Sequence, residues 1–136
     1  DFKDDLRTPP VKKNSLSVFF EINILFNVLI KNNKKIFILT NGNVSQQKNK
    51  IKAINIPFKT KIKICYSSSK GKYLQKPNPF FLLKLIEDNQ LIKSKTLFIG
   101  DSMTDLIASR LGNVDFMQVF FQEFKLLRIK LRIFNN

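Results

Sequence analysis

Two aspartates, Asp101 and Asp105, stand four residues apart in Thr96-Leu97-Phe98-Ile99-Gly100-Asp101-Ser102-Met103-Thr104-Asp105. A short apolar run leads into Gly100 and Asp101, and a helical pattern begins as Asp105 arrives. The run predicts a buried strand, and open α/β sheets bind ligands at the carboxyl ends of their strands. Hard carboxylate oxygens there suit Mg²⁺, which takes one or two protein carboxylates and completes its shell with water and phosphate oxygens. For Asp101, directly after the strand, the ligand role is the favoured reading. For Asp105, capping the helix or bonding to the loop competes with metal binding, because carboxylates are common at helix entrances.

Two earlier segments could serve the same chemistry. Ile36-Phe37-Ile38-Leu39-Thr40-Asn41-Gly42 is an apolar strand ending in a hydroxyl and a turn. A threonine there, with neighbouring backbone N–H groups, can bond a phosphoryl oxygen, although taken alone Thr40 reads first as a residue that satisfies the turn. In Lys76-Pro77-Asn78-Pro79, proline at 77 restricts Lys76 to an extended conformation before a helix. Its ammonium is then aimed, and could balance clustered carboxylates and a bound phosphate.

Alternating strands and helices must position these groups. Residues 1–14 read as an extended lead-in with Thr8-Pro9-Pro10 blocking a helix. Ser15 can cap a helix to about Asn32. Strand Lys35–Thr40, a helix from about Val44 to Asn55, and strand Lys61–Tyr66 follow. Pro79 opens a helix to about Asn89. Strand Thr96–Ile99, a helix from about Thr104 to Leu111 and strand Phe116–Phe121 complete the pattern. Strands alternating with helices predict a parallel sheet covered by helices. The tail Leu127–Ile133 alternates apolar and basic residues, as an edge strand protected by lysine and arginine does, with a basic interaction arm as the sharper alternative.

The three segments together resemble the haloacid dehalogenase superfamily, mostly Mg²⁺-dependent phosphohydrolases on a Rossmann-like sheet. Leu39-Thr40-Asn41-Gly42 looks like the family's second motif, Lys76 in Lys-Pro-Asn-Pro like its third, and Gly100–Asp105 like its fourth. The resemblance implies a three-layer α/β/α fold with a mainly parallel sheet. It implies that Thr40, Asn41 and Gly42 hold the transferring phosphoryl group and that Lys76 steadies it with the nucleophile. It also implies that Asp101 holds Mg²⁺ with support from Asp105. The substrate would be a small phosphorylated metabolite, processed through an aspartyl-phosphate.

The family's first motif, an Asp-x-Asp-x-Thr-like turn after an apolar strand, supplies the nucleophile and the general acid/base. Nothing in these 136 residues fits it; Asp1, Asp4 and Asp5 have the wrong spacing and no strand before them. The fold is therefore expected to be incomplete at its N-terminal central strand. The chain reads either as the later portion of a phosphatase or as a degenerate relative, with little activity alone. A catalytically dead phosphate-binding or interaction module is the alternative. An incomplete sheet also predicts marginal stability or self-association, since unpaired buried backbone groups are costly. The expected division is a lead-in at 1–14, a core at 15–124 and a basic tail at 125–136.

Composition narrows the field further. A hydrophobic fraction of 43% with mean hydropathy −0.12 fits a globular chain with a real core. One cysteine and no histidine exclude an internal disulfide, a zinc site and His-dependent triads. The single thiol fits a reducing, cytoplasmic setting, and Cys65 reads as a buried inert group on a strand. The apolar run Leu16–Ile30 is shorter than the roughly 20 residues of a membrane span and is interrupted by Glu21, Asn23 and Asn27, so no membrane partner is expected. A net charge of +14 suggests nucleic acid, but scattered lysines among abundant Asn, Ile and Phe read first as AT-biased coding. Nucleic acid is accordingly not the expected partner.

Overall fold

The structure is a computed structural model that describes Leu16–Ser17, residues 20–120 and Lys130–Phe134. The expected lead-in and the Ser15 cap lie outside these residues, as does the tail before Lys130. The chain divides into two compact units, Asp1–Ile64 and Cys65–Asn136.

In the first unit, β1 (Leu16–Ser17) is followed by helix α1 (Phe20–Lys31), strand β2 (Ile36–Thr40), helix α2 (Val44–Ala53) and strand β3 (Ile54–Asn55). Strand β4 (Ile62–Tyr66) then carries the chain out of the unit and is hydrogen-bonded to β2. β1 and β3 pair in parallel, Leu16 opposite Ile54 and Ser17 opposite Asn55. This pairing explains why α2 stops at Ala53 rather than at Asn55: Ile54 and Asn55 are drawn into extended backbone by a distant strand. Likewise α1 starts at Phe20 rather than near Ser15, because Leu16 and Ser17 are in β1. Ile36, Ile51, Ile56 and Ile62 form the buried apolar set of this unit.

The second unit runs through helix α3 (Phe80–Asp88), strand β5 (Leu97–Gly100), helix α4 (Met103–Gly112), strand β6 (Asp115–Phe120) and strand β7 (Lys130–Phe134). β5 and β6 are parallel, with Leu97 opposite Asp115 and Gly100 opposite Gln118. β7 lies antiparallel to β6. In α3 the stripe Phe81, Leu82, Leu85 and Ile86 is buried, as helical spacing requires. Leu106 and Ala108 on α4 join it with Val114, Phe116 and Val119, and Phe98 meets Phe116 edge-on with ring centroids 5.9 Å apart. Among the described residues the architecture is α/β, with short, mainly parallel strands in three small sheets.

With only four glycines in the chain, three helices are closed by a left-handed residue of another type. Asn33, Gln90 and Asn113 take the left-handed conformation after α1, α3 and α4. In each case the next N–H reaches back to the helix: Lys34 to Leu29 O at 2.9 Å, Leu91 to Ile86 O at 2.9 Å and Val114 to Ser109 O at 2.9 Å. These are Schellman closures, which satisfy the last carbonyls. Among the described residues no helix is long and apolar enough to cross a membrane.

Candidate functional site

In the second unit the crossover from β5 through α4 to β6 places Gly100 and Asp101 at the carboxyl end of a parallel strand. Asp101 is exposed, and no described residue pairs with its carboxylate. Ser102 caps α4: its Oγ accepts from Asp105 N at 3.2 Å while its own N–H donates to Asp105 Oδ2 at 3.2 Å. This is a capping box, with aspartate in the place usually held by glutamate. A hydrogen bond of 2.8 Å between Ser102 Oγ and Thr104 Oγ1 tightens the turn.

The other oxygen of Asp105 faces Lys76. Lys76 Nζ lies 2.5 Å from Asp105 Oδ1, with side-chain exposures of 10% and 6%. The ammonium also sits 5.6 Å from the centroid of the Phe98 ring, within cation–π range. The Lys76–Pro77 peptide is cis. Lys76 is therefore a cation brought to the end of β5 and held there by a buried carboxylate and an aromatic face. Both oxygens of Asp105 serve protein donors, whereas Asp101 turns to solvent.

Mg²⁺ coordination can be tested against this donor set. Among the described residues no three acidic, histidine or cysteine side chains converge. One open carboxylate at a strand end still fits a cation that keeps most of its shell for water and phosphate. Asp101 meets that requirement, and Asp105 is placed to act on the site through Lys76 and Ser102.

The second-motif residues belong to the first unit. Thr40 is half-buried at the end of β2, and its hydroxyl donates to Gln47 Oε1 at 3.0 Å, with Asn41 O at 3.2 Å as a further contact. Gly42 has φ +100°, and a Cβ there would stand 3.0 Å from Gln47 Nε2. Gln47 thus spans the turn from Thr40 to Gly42. Asn43 caps α2 by accepting from Gln46 N at 3.2 Å, which fixes the helix carrying Gln47. Sequence reading missed Gln47 and Ser102. The Ser-x-x-Asp spacing at 102–105 was a readable signal for the cap; nothing in the spacing of Gln47 from Thr40 announces their contact.

The profile of the family described as haloacid dehalogenase-like hydrolase matches residues 4–119. No curated protein matches the sequence. Among solved structures, a hydrolase from Pseudomonas syringae superposes with a TM-score of 0.60 and 24% identity, over 72% of this chain and 43% of that one. The likeness to that structure shows a shared fold, and this chain spans less than half its length. With the family profile covering most of the sequence, the chain belongs to the haloacid dehalogenase-like hydrolases.

Proposed function

We propose that this chain carries the phosphate-handling and metal-holding portion of a Mg²⁺-dependent phosphohydrolase site for a small phosphorylated metabolite. The observation that supports this best is the Lys76–Asp105 pair at the end of β5, beside the open carboxylate of Asp101. Asp101 would hold Mg²⁺, which supplies charge neutralisation for phosphate oxygens when bound. Lys76, kept in place by Asp105, offers a second positive charge to the phosphoryl group.

The reaction would pass through phosphoryl transfer to an aspartate and hydrolysis by water. That nucleophile and its acid/base partner have no counterpart in these 136 residues, so the chain by itself is expected to bind without turning over. A second reading is a binding module of the same fold without chemistry.

Calorimetry of the 136-residue chain with Mg²⁺ and inorganic phosphate tests the proposal. Mg²⁺-dependent phosphate binding that is lost in Asp101→Asn and in Lys76→Met supports it. Ordinary enzymatic turnover of a generic phosphate ester by this chain would contradict the expected inactivity. Absence of phosphate binding would contradict the pocket itself.

A further inference from the structure

The chain's ten acidic residues are not spread along it. None falls between Ile22 and Ile86, a run that holds 13 lysines and where an even spread would place about five acids. Biased coding raises lysine throughout a chain; it does not clear carboxylates from one half of it.

Inside this run, the first unit presents an aromatic ring in an unusual setting. Phe58 takes the left-handed conformation, φ 56° and ψ 33°, with its residue 40% exposed. A bulky side chain seldom adopts that backbone, and such strain persists where the surroundings enforce it. Two bonds enforce it here. Lys61 N donates to Phe58 O at 2.8 Å, closing a 3₁₀ turn over Lys59–Lys61. Lys59 Nζ donates to Ile51 O at 2.8 Å, tying that turn to the end of α2. Ile56 and Ile62 are buried on either side. The ring is thus carried on a fixed turn, and Lys50, Lys52, Lys61 and Lys63 are all exposed on the segments that the turn joins.

We propose that this turn is a binding site for single-stranded nucleic acid, with Phe58 stacking on a base and the surrounding lysines taking the phosphates. Single-strand binders combine a basic track with aromatic faces, because every base offers a π face and every linkage a charge. At this turn a membrane surface is the poorer match: it would require an adjoining helix with a broad apolar side, and on α2, which leads into the turn, the one large apolar residue besides Val44, Ile51, is buried.

The test is fluorescence anisotropy of the full chain with a labelled oligothymidylate of about 12 nucleotides, across a salt series. Phe58→Tyr is expected to bind as the native chain does, and Phe58→Leu to bind about 5- to 150-fold more weakly. Replacing Lys52, Lys61 and Lys63 by Gln is expected to weaken binding and flatten its salt dependence. Lysine acetylation of the native protein gives a readout that needs no variant: the oligonucleotide should protect Lys50, Lys52, Lys61 and Lys63 selectively. Four results would overturn the proposal: no binding, equal binding by Phe58→Leu, uniform protection of every lysine, or binding to phosphatidylserine vesicles but not to the oligonucleotide.

Discussion

Asp105 lies directly over Gly100: a Cβ added at position 100 would come within 2.5 Å of Asp105 Oδ2 and 2.6 Å of its Cβ and Cγ. Glycine is needed there for space. The carboxylate cannot easily retreat, because Lys76 holds one oxygen and the Ser102 N–H the other. Gly100→Ala is therefore expected to cost about 1–3 kcal/mol of stability through overpacking. It should also push Asp105 off Lys76. Urea unfolding measures the first effect, and faster acetylation of Lys76 the second. An unchanged midpoint with unchanged Lys76 reactivity would refute the constraint.

The Lys76–Asp105 pair should show strong coupling. Lys76→Met leaves a buried carboxylate without its cation, and Asp105→Leu leaves a buried ammonium without its anion; each is expected to cost about 3–5 kcal/mol. The double variant removes both charges at once, so its loss should fall well short of the sum. A double-mutant cycle in urea is the measurement. Additive losses would mean that the two side chains do not act as a pair.

How far the sequence disclosed this arrangement depended on distance along the chain. Apolar runs place β2, β4, β5 and β6 within a residue of where they occur, since strand periodicity is local. The start of α1 and the end of α2 were misplaced because β1 pairs with β3 across the two helices and the strand between them, and no local signal reports that partner. Thr40, Lys76 and Asp101 stand out by residue type beside strand ends and prolines. Which carboxylate would engage Lys76 was not legible, for Asp105 lies 29 residues away and meets it only after α3 and β5 have packed. The Gln47 contact to Thr40 likewise depends on the angle at which α2 leaves the Asn43 cap.

Asp101 and Asp105 should separate cleanly by variant. Asp101 is exposed and unpaired among the described residues, so Asp101→Asn is expected to change stability by no more than about 0.5 kcal/mol. It should nonetheless abolish Mg²⁺ binding in calorimetry. Asp105→Asn should instead lower the urea midpoint. A large loss of stability in Asp101→Asn, or undiminished Mg²⁺ binding, would remove Asp101 from the role of ligand.

Cys65 provides a pH-dependent test of packing at the start of the second unit. Burial pushes its thiol above the ordinary 9.0, Asp88 adds in the same direction and Lys84 opposes. The fold therefore favours the neutral thiol. Well below 9.0 both folded and unfolded chains keep the proton, and the group contributes no pH dependence. As pH rises through 9.0 the unfolded chain ionises first, so stability falls until the folded thiol ionises as well. The urea midpoint of the native chain should accordingly drop more between about pH 8 and 10 than that of Cys65→Ala, which carries the same lysines. Alkylation by iodoacetamide should reach half its maximal rate at a higher pH in the folded chain than in urea, and Asp88→Asn should bring the two closer. Superimposable profiles in the folded and unfolded chain would show that Cys65 feels neither the burial nor Asp88.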